Sequence, residues 1–197
     1  MRNKPNKIDR FLAEGYYQLE SSSLIKSLQE NGVKVLNISP AGSLRRAKRK
    51  IGDLDIVIEV DKPELCTKVL EKKLEYEYFL TGAFHKGKIN DTGIDLFVAG
   101  KYDFHSMLFF LTGSEDWNLK IMKHLADNTD IRFTPFRFFN NKTGETYRFS
   151  CEEDIFKLIK HKYVLPENRQ PNNVNFGDTE WKELLRNTLS TYFLKKK

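Results

Sequence analysis

Asp53 and Asp55 stand two positions apart where the run LDIVIEV (54–60) begins, and a third aspartate, Asp95, sits inside IDLFVA (94–99). Both runs are rich in β-branched and aliphatic residues and read as strands. Side chains on a strand alternate faces. Asp53, Asp55, Val57 and Glu59 then share one face, and Leu54, Ile56, Ile58 and Val60 the other. In the second run Ile94, Leu96 and Val98 face one side, and Asp95 shares the opposite side with Phe97. If the two strands are neighbours, three carboxylates meet. Left alone they repel and raise one another's pKa. A hard divalent cation removes that penalty, since Mg²⁺ takes oxygen ligands from a few carboxylates and from substrate phosphates. Two such ions ~3.5–4 Å apart can clamp the attacking and leaving oxygens of an in-line displacement. Spacing alone leans slightly towards surface acids at a strand edge, because D-x-D arises often by chance.

The preceding loop, GSLRRAKRKIG (42–52), shifts that balance. Gly42-Ser43 can offer backbone N–H groups and a hydroxyl to phosphate oxygens, as turn nests do. An arginine a few residues on can pair with the same oxygens in a fork. Five of the six residues from Arg45 to Lys50 are cationic. Lys48, Arg49 and Lys50 fit contacts to nucleic-acid phosphate, and equally a solvated loop or an import-like basic run.

The elements that must hold these groups follow from periodicity. Residues 8–30 are helix-rich, with an apolar stripe started by Ile8, Phe11 and Leu12 and continued by Leu24, Ile25 and Leu28. Gly15 and Ser21–Ser23 weaken its middle, so a break is expected there. Asn31-Gly32 stops it. Residues 33–39 form a short strand. Asp61 is the expected N-cap of the helix entered through Pro63. Strands are expected at 76–85 and 94–99, joined through Asn90–Gly93. Helical patterning begins at 103, breaks at Thr112-Gly113-Ser114, and resumes over 115–126. Residues 131–149 are aromatic and strand-like. Ser150 to Glu153 reads as a capping box for the next helix, with Glu152 and Glu153 as its N-terminal acids. A last amphipathic helix carries Trp181, Leu184, Leu185, Leu189, Tyr192 and Phe193.

The chain has 197 residues and a net charge of +6, and 40% of its residues are hydrophobic, including fifteen Phe and eight Tyr. That supply fills a core and argues against wholesale disorder. A basic balance fits a nucleic-acid or nucleotide partner. No apolar run approaches a membrane span, and MRNKPNKIDR holds no signal-like hydrophobic region. The two cysteines, Cys66 and Cys151, lack metal spacing and fit reduced thiols in a soluble intracellular protein. His85, His105, His124 and His161 are scattered without ligand spacing. Phe133, Phe136, Phe138 and Phe139 suit either a base-stacking platform or, more commonly, the core face of a sheet.

G-S-x-R-R followed by G-D-x-D and a later strand aspartate resembles the nucleotidyltransferase superfamily, and GSLRR in particular its family X DNA polymerases. FFLTGSEDWN (109–118) matches that family's aromatic-x-T-G-S…N segment, and CEEDIFKLIKHKYVLPENR (151–169) its E-x-D-I-F…Y…P-x-x-R segment. The matches run in order from about residue 8 to 169. The resemblance implies an α+β fold: a polymerase beta-like palm over 1–102, a mixed sheet with helices on one face. A small C-terminal α/β lobe (103–169) that binds nucleotide and template follows, and then an extension (170–197).

By the same resemblance Asp53 and Asp55 bind two Mg²⁺ ions, with Mn²⁺ able to substitute. Asp95 binds the catalytic one and activates the primer 3′-hydroxyl. Gly42, Ser43, Arg46 and Gly52 hold the triphosphate of the incoming dNTP. Phe110, Gly113 and Ser114 line the sugar, and Asn118 touches the minor-groove edge of the base. Met122 lies towards DNA, and the basic run Lys48, Arg49 and Lys50 would be DNA-binding where it is not a solvated loop or import signal. Two departures bear on sugar choice and fidelity: Phe110-Leu111 stands where the family commonly has Tyr-Phe, and Met122 where many members have an arginine. No lyase domain fits ahead of residue 8. The function implied is gap-filling DNA synthesis in repair by a monomer without membrane attachment. Two other classes stay open: a nucleotidyltransferase with an untemplated or RNA acceptor, and a non-catalytic basic DNA-binding module.

Overall fold

The strands bearing the aspartates are held in one sheet. The computed structural model of the chain describes residues 7–73, 84–100 and 102–173. The strand β1 (Ile8–Asp9) leads into helix α1 (Arg10–Glu30), and β2 (Val35–Pro40) follows. A one-turn helix α2 (Gly42–Arg45) and a short strand β3 (Lys50–Ile51) precede β4 (Asp53–Val60), helix α3 (Pro63–Lys73) and the hairpin β5 (Phe84–Ile89) and β6 (Thr92–Ala99). The main sheet has the order β2-β4-β6-β5, with β4 and β6 parallel and the outer pairs antiparallel. A mixed sheet thus carries the aspartates on its two central strands. β1 pairs with β3 alongside, tying the start of α1 to the basic loop.

Leu54, Ile56, Ile58 and Val60 of β4 are buried together with Ile94, Leu96 and Val98 of β6, against Leu24 and Leu28 of α1 and Cys66, Val69 and Leu70 of α3. Burying such a side chain stabilises the fold by ~1.5–3 kcal/mol, so one apolar face fixes which way the aspartates point. Burial also pushes the Cys66 thiol up to about 12, which keeps it protonated.

The C-terminal half is built around helices α4 (Phe104–Thr112) and α5 (Glu115–Asn128), a small sheet of β7 (Ile131–Phe133), β8 (Phe138–Asn140) and β9 (Thr146–Tyr147), and helix α6 (Glu152–Leu158). Two 3-10 turns end the described chain, at Pro166–Asn168 and Pro171–Asn173. Phe109, Trp117, Phe133, Phe138 and Phe156 pack edge-on and stacked into a second core. Phe133 and Phe138 are therefore interior residues. A third core joins the halves: Val57 of β4 with Phe104, Met107 and Leu108 of α4. Helices α1 and α3 thus share the apolar face of the main sheet, and α4 of the C-terminal half packs on the other. α4 covers the far half of the other face and leaves open the end where Asp53 and Asp55 stand.

Several expectations are corrected. α1 runs unbroken through Gly15 and Ser21, because the Ser21 hydroxyl donates to the Tyr17 carbonyl at 2.6 Å and is satisfied inside the helix. Its buried side is Ala13, Leu24 and Leu28, whereas Phe11 is 84% exposed. Asp61 stands two residues before the start of α3 at Pro63, and its carboxylate accepts from the Lys34 backbone across the end of the sheet. The Asn90-Asp91 turn is tighter than expected, and β5 runs on to Ile89. The capping box is absent: Cys151 occupies the N-cap position of α6, with no side-chain hydrogen bond there. The expected strand over 76–83 and the helix carrying Trp181 lie outside the described residues. Among the described residues no helix is long and apolar enough to cross a membrane.

Candidate active site

Register decides the geometry of the acids. Asp55 of β4 and Asp95 of β6 are direct partners in the parallel ladder, and Asp53 lies opposite Gly93. Adjacent strands run ~4.8 Å apart, so Asp95 stands beside Asp55 on the face that also carries Asp53. The resulting electrostatics is one-sided. Burial, joined by the charges of Asp53 and Asp95, pushes the Asp55 carboxyl up to about 8, because Arg46 and Lys86 offset only part of the rise. Asp95 is likewise raised by burial, with Lys86 opposing. Lys86 lies opposite Asp95 on β5, its Nζ 3.5 Å from Oδ1.

The cradle before β4 is packed onto these acids. Gly42 has φ +52, and a Cβ there would collide with the Asp55 carboxylate. Only glycine meets both demands, a left-handed backbone and no side chain. The Ala41 amide donates to the Asp55 carbonyl at 2.7 Å, fixing the cradle to the strand. Ser43 follows in α2, and the Lys48 amide donates back to the Ser43 carbonyl. Lys48 is half-buried, and Arg49 and Lys50 are exposed.

The two arginines differ in role. Arg46 donates from Nη1 to the Thr112 carbonyl (2.6 Å) and the Gly113 carbonyl (3.0 Å), while its buried Nε has no partner among the described residues. Its guanidinium therefore reaches from beside Asp55 to the Thr112–Gly113 segment and keeps donors in reserve. Arg45 instead forks onto Glu152 (2.5 and 3.0 Å) and donates to the Thr112 hydroxyl. Arg169, fully buried, grips the same carboxylate at 2.9 and 3.2 Å. Burial pushes Glu152 up, but the bonds and charges of Arg45 and Arg169 outweigh it and the net shift is down. Glu152 is thus the anion at the junction of the halves, where a helix-start acid facing water was expected.

The T-G-S segment ends α4, and Ser114 caps α5 by accepting from the Trp117 amide. A Cβ on Gly113 would strike Asn118 Oδ1. Asn118 is 5% exposed and donates to the Phe110 carbonyl at 2.6 Å, and Oδ1 has no partner among the described residues. Met122 is half-buried against the second core. Sequence reading missed Lys86, since the strand was expected to end at residue 85. It also missed the Arg45–Glu152–Arg169 tie, which joins positions more than a hundred residues apart and leaves no local signal.

An all-oxygen, electron-rich donor set with an excess of negative charge fits a hard divalent cation. Among the described residues no three acidic, His or Cys side chains already converge on one point. Asp55 lies into the Gly42 turn and Asp95 towards Lys86.

Comparison with known proteins finds relatives of one kind. The DNA polymerase beta thumb family matches residues 107–170. The chain is 27% identical over 159 residues to the DNA polymerase/3′-5′ exonuclease PolX of Bacillus subtilis, covering 78% of this chain and 28% of that protein. It is 25% identical over 148 residues to a repair DNA polymerase X of African swine fever virus, covering 70% of this chain and 84% of the viral protein. The polymerase X of a second isolate aligns over 158 residues at 25% identity, 76% of this chain and 87% of its own length. The chain thus spans less than a third of the bacterial relative and most of the viral ones. With the thumb match over 107–170 and polymerase X relatives aligned across most of its length, the chain is similar to the family X DNA polymerases.

Proposed function

We propose that this protein is a DNA-directed DNA polymerase that adds dNMP to a primer 3′-hydroxyl, filling short gaps during repair. The observation that carries the reading is the in-register pairing of Asp55 with Asp95, Asp53 on the same face, and the Gly42 turn packed against Asp55. Phosphoryl transfer asks little covalent chemistry of the protein and depends on positioning and electrostatics. In this reading Gly42, Ser43, Arg46 and Gly52 hold the triphosphate, with Arg46 carrying its charge from the cradle to the Thr112–Gly113 segment. Asp53 and Asp55 would hold two Mg²⁺ ions, and Asp95 would share in holding the catalytic one. When bound, these ions neutralise the phosphates and lower the pKa of the attacking hydroxyl. Asp95 orients that 3′-hydroxyl. Its oxygen bonds to the α-phosphorus as the bond to the bridging oxygen breaks, the proton leaves to solvent, and pyrophosphate departs. Phe110, Gly113 and Ser114 border the sugar, and Asn118 and Met122 lie on the templating side.

The test is primer extension on gapped, recessed and single-stranded DNA with each dNTP and rNTP, in Mg²⁺ and in Mn²⁺. Template-matched addition to the gap is expected. Asp95→Ala is expected to slow it by at least ~100-fold. Undiminished extension by that variant would remove Asp95 from its role. Equal addition to single strands would move the protein to untemplated transfer. DNA binding without any divalent-dependent turnover would leave only a basic binding module.

A further inference from the structure

The edge strand β5 presents a feature that the roles above leave unused. Phe84, Lys86 and Lys88 alternate along it, and their ladder partners on β6 are Phe97, Asp95 and Gly93. All three therefore stand on the face that carries the acids. Lys86 and Lys88 are exposed. The Phe84 and Phe97 rings stack at 4.6 Å, and Lys86 Nζ lies 5.3 Å above the Phe84 ring. Gly93 offers no side chain beside Lys88, so the surface next to Asp53 and Asp95 is low and open to a bulky ligand.

The order of strands gives this surface a direction. Across the sheet lie, in turn, the cradle after β2, the two acids of β4, Asp95 on β6, and the lysines of β5. An in-line displacement puts the leaving and attacking oxygens on opposite sides of the phosphorus. With the triphosphate in the cradle, pyrophosphate departs on the β2 side and the attacking hydroxyl comes from the β5 side. The strand that bears this hydroxyl carries a phosphodiester at each preceding nucleotide, and two lysines on the acid face are placed to meet it. Phosphate contacts position a nucleic acid without reading its sequence.

Resting on the polymerase reading of the site, we propose that β5 seats the acceptor strand. Lys86 and Lys88 bind its last phosphodiesters, and Lys86, in contact with Asp95, is the positioning residue that brings the 3′-hydroxyl over that carboxylate. The rival explanation is that lysines on an edge strand merely discourage pairing with another chain. That role would leave DNA binding untouched.

The experiment measures binding of a recessed primer–template duplex by fluorescence anisotropy across a salt series, without nucleotide, alongside acceptor and nucleotide KM in turnover. The proteins are the wild type, Lys86→Gln, Lys86→Arg, the double variant Lys86→Gln/Lys88→Gln, and Lys142→Gln as a control in the other half of the molecule. The side chains are exposed, so matched melting temperatures are expected. Each lost phosphate contact reduces the slope of log K against log salt by about 0.7–0.9. The double variant is expected to lose roughly two such contacts, to bind ~10-fold or more weakly at moderate salt, and to raise acceptor KM with little change in nucleotide KM. Lys86→Arg keeps most binding, and Lys142→Gln resembles the wild type. An unchanged slope and acceptor KM in the double variant overturns the proposal. Failure of the wild type to transfer any nucleotide overturns instead the polymerase reading, and the salt slopes still report on the lysines.

Discussion

Two regions of this molecule bury carboxylates, and they treat them in opposite ways. At the junction of the halves one anion, Glu152, is held by two forked guanidinium groups, and its pKa falls despite burial. At the open end of the main sheet Asp55 is pushed up to about 8, because burial and two neighbouring aspartates outweigh the cations near it. The first region has its charge settled by the protein alone. The second is left short of positive charge, a deficit that a bound proton or a cation relieves. A neutralised buried acid serves architecture, and an uncompensated cluster marks chemistry.

Removing the anion from the junction is expected to have the largest effect on stability. Glu152→Gln leaves Arg45 and the fully buried Arg169 without a counter-charge, and a loss of ~3–5 kcal/mol is expected, read from urea unfolding. A loss below ~1 kcal/mol would mean the tie contributes little and the contrast fails. At the sheet end the expected signs reverse. Asp55→Asn should cut nucleotide transfer by at least ~100-fold while making the metal-free protein more stable at pH 8, by on the order of 2 kcal/mol after discounting for relaxation. A variant that is both inactive and less stable would assign Asp55 to architecture instead.

The smallest effect, and the sharpest contrast, is with pH. For Asp55 the unfolded chain gives up its proton near 3.8 and the folded chain near 8, so the folded state binds more protons in between. Its contribution is full below the unfolded value and declines as pH rises towards 8. Glu152 acts the other way: its contribution is complete above its ordinary value of 4.5 and is lost as pH falls below it. Thermal melts in chelator should therefore show a decline on the alkaline side that Asp55→Asn abolishes and added Mg²⁺ reduces. Parallel pH profiles for wild type and Asp55→Asn would contradict this account.

Much of the sheet was legible because alternation is a local property. The parity of Asp53 and Asp55 against Leu54, Ile56 and Ile58 follows from the chain order, and the break at Thr112–Ser114 from its turn chemistry. The continuity of α1 was not legible, since the Ser21 to Tyr17 bond cancels a propensity penalty that composition alone overstates. Nor was the end of β5, whose length is set by pairing with β6. Arg45 and Arg46 are identical in type and adjacent in sequence, yet one grips Glu152 and the other the Thr112 and Gly113 carbonyls.

The sequence by itself determined the chemistry on offer: acids of one parity on apolar strands, a glycine-serine turn ahead of them, and the segments that mark the family. Tertiary structure alone decided which charges meet. Whether Asp95 stands beside Asp55, Lys86 beside Asp95, or Arg169 beside Glu152 depends on strand register and on the packing of the two halves. Coulomb interactions depend on distance and burial, and sequence spacing encodes neither once the chain has turned back on itself.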